Sequence, residues 1–153
     1  MLFFGMLAVV SALAAAVAWV FGLPFDAPEA VRWGLTASLI FLGVDHLAVP
    51  RRYLPMMPRF VPAPRLVVLF TGLCEIAGGI GLFIPELRIA AGWALAVYFV
   101  CVFPANIKNA VEGLSVDGLP ASRTYYWLRL PLQPVAIWAS LFAAGIVIWP
   151  LAA

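Results

Sequence analysis

The sequence predicts an all-α protein, a polytopic membrane helical bundle with five transmembrane helices. Of the 153 residues, 65% are hydrophobic and only 10% are charged, which leaves too few polar side chains to cover a soluble domain. The chain also contains five apolar runs, each near or above the ~20 residues that cross a ~30 Å hydrocarbon layer as a helix. These runs are Leu2–Phe21, Val31–Val49, Pro64–Ile84, Ile89–Val111 and, roughly, 127–149. Because lipid offers backbone groups no partners and the runs lack the alternation of barrel strands, each run must be helical.

The first run has two interpretations. Its segment "ALAAAVA" provides small residues that resemble a signal-peptidase site after an apolar stretch. However, the preceding "MLFFGML" contains no Lys or Arg, which the start of a secretory signal normally has. We therefore predict an uncleaved N-terminal transmembrane helix at 1–22, with a signal-like segment as the alternative. A four-helix membrane domain at 30–150 follows it.

The basic residues predict the orientation of a multi-pass membrane protein. Arg32 and Arg88 lie on one side, and seven basic residues lie on the other: Arg51, Arg52, Arg59, Arg65, Lys108, Arg123 and Arg129. The connectors between runs two and three and between runs four and five are therefore predicted to be cytoplasmic. The N-terminus is then cytoplasmic and the C-terminus periplasmic or extracellular. The net charge of +2 suits anionic headgroups, so we predict the lipid bilayer as a partner and no nucleic acid.

The connector "VPRRYLPMMPRFVPAPR" between runs two and three is too rich in proline to form a continuous helix. Its arginines and aromatic residues indicate a segment at the cytoplasmic interface, which either anchors to headgroups or covers a pocket. In the third run, four glycines between Gly72 and Gly81 allow neighbouring helices to approach closely. This predicts that the third helix is the central one.

Glu75 is the most informative polar residue, because it interrupts the apolar stretch "TGLCEIAGGIGLFIP". It lies ~16 Å along a helix from Pro64, near the membrane midplane, where a charged side chain costs about 2.5–3.5 kcal/mol on insertion scales. It shares a helix face with Thr71 and the small residues that follow, and so should point into the bundle. We predict that it pairs with Gln133 or Arg129.

Polar residues from four helices fall in the same cytoplasmic half of the membrane and predict a common site. Its predicted ligand-binding residues are His46, Glu75, Asn106, Arg129 and Gln133, with aromatic surface from Tyr98 and Trp127. An apolar cavity with a few convergent polar groups suits a lipophilic molecule with a polar headgroup, such as a quinone. The alternative is a structural brace, in which the same side chains satisfy carbonyl groups released by Pro104, Pro131 and Pro134.

The sequence leaves catalysis open. Its single histidine excludes bis-histidine haem and a histidine-rich metal site, and neither a GxGxxG fingerprint nor a Walker motif is present, so no metal site is predicted. Asp45 precedes His46, but consecutive helical residues point about 100° apart and need not cooperate. Cys74 and Cys101 fall at similar depth in neighbouring helices, where they are small packing residues or, as the alternative, a redox pair.

Several motifs occur in a characteristic order: a His ending the second run in "GVDHLAVP", an MP pair in the connector, "TGLCEIAGG" in the third run, "FPAN" in the fourth and "LRLPLQP" in the last. With this pattern, residues 31–145 resemble the DoxX-like family of small bacterial integral membrane proteins. The resemblance implies a four-helix core to which the first helix is an addition. Leu47 departs from it, since many relatives have an aromatic residue after the His.

The resemblance implies two classes of function. DoxX-type proteins are similar to subunits linked with thiosulfate or quinone redox chemistry, which implies a quinone-like lipophile as the cofactor and a redox or other membrane protein as the partner. Distant relatives include a receptor-assembly chaperone, which implies a non-catalytic assembly or scaffold subunit with a structural polar cluster. Kinship of fold does not choose between them, and the oligomeric state stays open.

Overall fold

The computed structural model describes residues 2–114 and 123–148, which form helices joined by turns and short loops. Six α-helices occur in this part of the chain: α1 (Leu2–Phe21), α2 (Ala27–Ala48), α3 (Pro64–Gly81), α4 (Arg88–Glu112), α5 (Arg123–Arg129) and α6 (Gln133–Ala143). Two 3₁₀ turns, Pro50–Arg52 and Leu54–Met56, lie between α2 and α3. The described residues contain no strand, so the predicted all-α class is confirmed. Most of the connector between the fourth and fifth predicted runs, the last position of the fifth run, 149, and the last position of the predicted four-helix domain, 150, lie outside the described residues.

Local sequence explains where several helices begin and end. The Asp26 side chain accepts a hydrogen bond from the Glu29 amide at 2.6 Å, which caps the start of α2. α3 begins at Pro64, which has no N–H to leave unpaired in a first turn. Gly113 ends α4 in the left-handed conformation, with φ of 61°, which glycine adopts without steric cost.

Three of the described helices, α1, α3 and α4, are long and apolar enough to cross a membrane. α2 meets the same criterion only together with the 3₁₀ turns that continue to Met56, from which it is bent by 95°. The described part of the chain thus has three candidate spans, or four if the bent pair counts as one. These lengths and compositions are those of an integral membrane protein.

The predicted fifth helix is not continuous, which corrects the prediction of one span over 127–149. α5 and α6 contain 7 and 11 residues, and a turn at 130–132 separates them. Pro131 and Pro134 cause the break, because neither has an N–H to donate to the preceding turn. In their place, tighter bonds close the turn, from the Leu130 amide to the Trp127 carbonyl and from the Gln133 amide to the Leu130 carbonyl.

Large apolar side chains cover the outside of the bundle. Trp19 on α1 is 86% exposed, and Leu66 on α3 and Val97 on α4 are also exposed. A soluble protein would bury such surface, whereas acyl chains solvate it at no cost. These outward faces are therefore the surface that contacts lipid.

α2 is the most extensively packed helix, since it packs against α1, α3 and α6, whereas α3, which was predicted to be central, packs against α2 and α4 among the described helices. A Cβ atom at Gly43 of α2 would lie 2.7 Å from the Gly72 carbonyl oxygen of α3, and one at Gly72 would lie 2.8 Å from the Gly43 carbonyl oxygen. On the other side of α2, a Cβ at Gly34 would lie 2.3 Å from the Leu7 carbonyl oxygen of α1. The glycines of α2 therefore let two helices approach it at backbone distance, which the prediction based on α3 alone missed.

Candidate functional site

A cavity of about 690 Å³ lies at the end of the bundle where the proline-rich segment between α2 and α3 packs. All six helices contribute to its wall. Most of the wall is apolar, with Phe3, Val68 and Phe99 among the buried side chains. A small number of polar side chains interrupts this surface, and Glu75 is the most deeply placed of the charged ones.

The structure brings six of the seven predicted site residues to this cavity: His46, Glu75, Tyr98, Asn106, Arg129 and Gln133. Trp127 does not line it and is 50% exposed. The reason is helical geometry, because Tyr125 and Arg129 share one face of α5 at a spacing of four residues. Trp127 lies two residues from each of them, on the opposite face.

Glu75 points into the bundle and is only 4% exposed. Its Oε1 accepts a hydrogen bond from the Tyr98 hydroxyl at 2.7 Å, and its Oε2 lies 2.8 Å from Nδ1 of His46. The predicted pairing with Gln133 or Arg129 is therefore wrong. Gln133 instead bonds to α4, because the turn at 130–132 places it at the start of α6.

Nδ1 of the His46 ring lies near two acceptor oxygens, so it acts as a hydrogen-bond donor. Nδ1 lies 2.8 Å from the Leu42 carbonyl oxygen, in a geometry that directs the N–H at that carbonyl. It lies equally close to Glu75 Oε2, but one hydrogen cannot point at both oxygens. Among the described residues, Glu75 Oε2 is thus a buried oxygen with no hydrogen-bond donor, although the imidazole ring is beside it.

A second polar group, formed by Asp45, Arg52 and Tyr53, closes the cavity next to His46. Arg52 Nη1 donates to both carboxylate oxygens of Asp45 at 2.6 Å, and the Tyr53 hydroxyl donates to Asp45 Oδ2. The Tyr53 ring stacks on the His46 ring, with centroids 3.9 Å apart and planes 24° apart. Burial, together with the bond to Asp45, raises the pKa of the Tyr53 hydroxyl, which stays protonated as a donor.

Sequence reasoning missed this group, since it considered Asp45 and His46 only as neighbours on one helix. Asp45 does not bond to His46, but it holds the tyrosine that covers the His46 ring. The signal that was available is the spacing of Arg52 and Tyr53, seven and eight residues after Asp45 across a turn that begins at Pro50.

The proline-rich segment lies over the cavity, and several of its residues line it: Arg52, Tyr53, Met56, Met57, Pro58, Phe60 and Val61. Lys108 of α4 ties this segment down, since its Nζ donates to the Pro55 carbonyl at 2.6 Å and to the Met57 carbonyl at 2.9 Å. The sequence left two roles open for this segment, an anchor to headgroups or a cover over a pocket. The structure shows the contacts with the cavity that a cover requires.

A buried amide pair joins α4 to α6 on another wall of the cavity. Gln133 Nε2 donates to the Phe99 carbonyl at 2.6 Å, and Asn106 Nδ2 donates to Gln133 Oε1 at 3.1 Å. Both side chains are buried. Asn109, three residues after Asn106 on α4, is also buried but does not line the cavity. The Asn106–Gln133 pair is thus a brace of the kind expected next to a proline-interrupted helix.

Cys74 and Cys101 both line the cavity as free thiols. Within residues 2–114 and 123–148, no group of three or more His, Cys, Asp and Glu side chains is arranged to hold a metal ion.

The fold and the cavity define a class, a small helical membrane protein with a buried polar site inside an apolar chamber. The chain belongs to a family described as a domain of unknown function, DUF8561, whose model matches residues 35–143. The match extends from Leu35 in α2 to the last residue of α6, so it includes the surroundings of Glu75 and leaves out α1. No curated protein and no solved structure matches the chain.

Proposed function

We propose that the protein binds a lipophilic small molecule with a polar headgroup, of the quinone type, in the cytoplasmic half of the bacterial inner membrane. The observation that carries this proposal is Glu75 Oε2, a buried carboxylate oxygen without a donor that belongs to the wall of a cavity of about 690 Å³. Ligand sites for lipophilic molecules are apolar chambers of this size in which few polar groups orient the headgroup.

The shape of the cavity also suits a molecule with an apolar tail. Phe70 of α3 and Val97 and Cys101 of α4 line the cavity and are at the same time exposed on the lipid-facing surface. A tail lying between α3 and α4 would therefore continue from the cavity wall into the acyl chains. His46, Glu75 and Tyr98 would contact the headgroup, with Arg129 at the α5 wall.

The same proposal includes the assignment of the helices as membrane spans. α2, α3, α4 and the broken pair α5–α6 would be the four spans of a DoxX-like core, and α1 would be a fifth span added to it. Electrons for any redox step would come from a partner membrane protein, and catalysis by this chain itself is not part of the proposal. A homo-oligomer is compatible with this arrangement.

A matched pair of cysteine substitutions tests the orientation. We expect Arg59→Cys, in the exposed part of the proline-rich segment, to resist an impermeant thiol reagent in intact spheroplasts and to react after lysis. Basic residues favour the cytoplasmic side, and many of them lie near Arg59 in the sequence. Glu86→Cys, in the exposed α3–α4 connection, is then on the other side and should react in intact spheroplasts. Both variants need Cys74→Ala and Cys101→Ala to remove the native thiols. The opposite labelling pattern would invert the topology.

Filling the cavity tests the binding proposal. Ala105 of α4 lines the cavity and is half-buried, so the side chain of Ala105→Phe would occupy space that the headgroup needs. We expect a decyl-chain quinone to raise the melting temperature of the wild-type protein in detergent and to have little effect on this variant. Ala90→Phe makes the same change at an exposed position of α4 outside the cavity, and should respond like the wild type. Equal responses from both variants would place the ligand elsewhere.

A second candidate function is an assembly or scaffold subunit in which the polar cluster is structural. The Asn106–Gln133 brace favours it, because both side chains are bonded within the chain and offer a ligand little. Stoichiometric copurification of a membrane-protein partner, with no lipophile in a solvent extract of the complex, would support this function over the first.

A further inference from the structure

We infer that the headgroup donates a hydrogen bond to Glu75 Oε2, so that the site prefers a hydroquinone over the corresponding quinone. The inference rests on the proposed function and adds to it the chemical form of the ligand. Its basis is the distribution of donors and acceptors around a single buried carboxylate.

The two oxygens of Glu75 differ in their surroundings. Oε1 receives the Tyr98 hydroxyl at 2.7 Å, whereas Oε2 receives no hydrogen bond from the described residues. His46 Nδ1 lies 2.8 Å from Oε2, but its N–H is directed at the Leu42 carbonyl. A carboxylate oxygen that holds no proton can only accept, and a buried acceptor without a donor is costly. A hydrogen bond from a ligand donor therefore contributes most to the binding free energy at Oε2.

Three neutral donors of the cavity wall are already engaged within the protein. The Thr71 hydroxyl, one turn before Glu75 on α3, donates to the Val68 carbonyl at 2.8 Å. The Gln133 amide donates to the Phe99 carbonyl, and the Asn106 amide donates to Gln133. Each of these bonds would have to break before its donor reached Oε2. A hydroxyl group brought by the ligand has no such bond to give up within the protein.

His46 adds to the same preference. The ring lines the cavity, and when it holds a single hydrogen, on Nδ1, its Nε2 is an acceptor. A hydroquinone presents hydroxyl groups that can donate to acceptors of both residues. A quinone presents only carbonyl oxygens, which would face the carboxylate oxygen as a second acceptor and leave it unpaired.

Three compounds with the same decyl chain separate these cases: a hydroquinone, the matching benzoquinone and the dimethyl ether of the hydroquinone. Their affinities for the purified full-length protein in detergent are measured anaerobically by calorimetric titration, with a reductant present for the hydroquinone. We expect the hydroquinone to bind about tenfold more tightly than either of the others, since only it can donate to the buried acceptor.

Two variants of the site change the expectation in opposite directions. Glu75→Gln has nearly the same shape but supplies an amide donor, so the preference for the hydroquinone should fall to near unity or reverse. Tyr98→Phe removes the donor to Oε1 and leaves two oxygens unpaired, so the preference should persist or increase. Glu86→Gln makes the first change at an exposed loop position and should leave all three affinities unaltered.

The outcomes separate the inference from the proposed function. Equal affinities of the wild-type protein for the three compounds, or an unchanged preference in Glu75→Gln, would overturn the inference and leave a lipophile-binding site standing. Binding of none of the compounds would overturn both. If Glu75→Gln does not fold, the comparison of the three compounds on the wild-type protein and on Tyr98→Phe still decides.

Discussion

Gln133→Leu is expected to destabilise the protein by about 2–3 kcal/mol. The substitution removes two buried bonds at once, from Gln133 Nε2 to the Phe99 carbonyl and from Asn106 Nδ2 to Gln133 Oε1. Each group left without its partner costs about 1–3 kcal/mol in proteins generally. The sum is reduced in a membrane, because the unfolded chain in lipid also finds partners for its polar groups. Unfolding in mixed micelles of increasing SDS content measures the change.

The double variant Asn106→Leu, Gln133→Leu is the control for this interpretation. It removes the Asn106 amide that the single substitution leaves unpaired, and should recover about 1 kcal/mol of the loss. Asn106 is buried, so leucine at this position meets an apolar environment. If Gln133→Leu alone is as stable as the wild type, the brace does not hold α4 to α6, and the scaffold function loses the observation that favours it.

Gly43→Ala is expected to destabilise the protein by about 1–3 kcal/mol, as overpacking of a close contact does. The new Cβ would lie 2.7 Å from the Gly72 carbonyl oxygen and 2.7 Å from Cγ1 of Ile76, so α2 and α3 would have to move apart. Because the same Cβ would lie 3.3 Å from the Glu75 Cβ, the Glu75–His46 contact should be disturbed as well. Melting temperature in detergent, with and without the decyl hydroquinone, measures both effects.

Gly5→Ala is the matched control, since a Cβ at Gly5 of α1 would meet nothing within 4 Å. It should be neutral or slightly stabilising, because alanine has the higher helix propensity. Equal stability of the two variants would mean that α2 and α3 have room to separate. In that case the close approach at Gly43 would not determine the geometry of the site.

Much of the candidate site follows from the sequence because a membrane restricts what a polar residue can do. Glu75 has small residues on its helix face and no aqueous surface within reach, so its inward orientation follows, and it is buried. The same reasoning located His46, Asn106 and Gln133 at one end of the bundle, and all three line the cavity. Trp127 was misplaced because the argument used its depth in the membrane and not its angle on α5.

The partners within the site did not follow from the sequence. Depth along a helix allows Gln133, Arg129 and Tyr98 to approach Glu75 equally well, and the structure selects Tyr98. The selection depends on the rotation of α4 relative to α3, a degree of freedom that the hydrophobic pattern of two long apolar helices leaves undefined. The stacking of Tyr53 on His46 depends likewise on how the chain reverses after α2, which prolines permit in several ways.

The sequence by itself determined the membrane class, the helical structure of the apolar runs and the burial of Glu75. Each of these follows from solvation, since lipid accepts apolar surface and excludes unpaired polar groups whatever the arrangement of the helices. Only the tertiary structure decided that α2 is the most extensively packed helix, that the last run breaks into α5 and α6, and that Glu75 faces a cavity with one oxygen bonded and the other not. These features depend on close approaches of helices, such as that between Gly43 and Gly72, where an added Cβ atom would overlap the facing carbonyl oxygen. Such approaches are set by the shapes of facing helices and not by the composition of either.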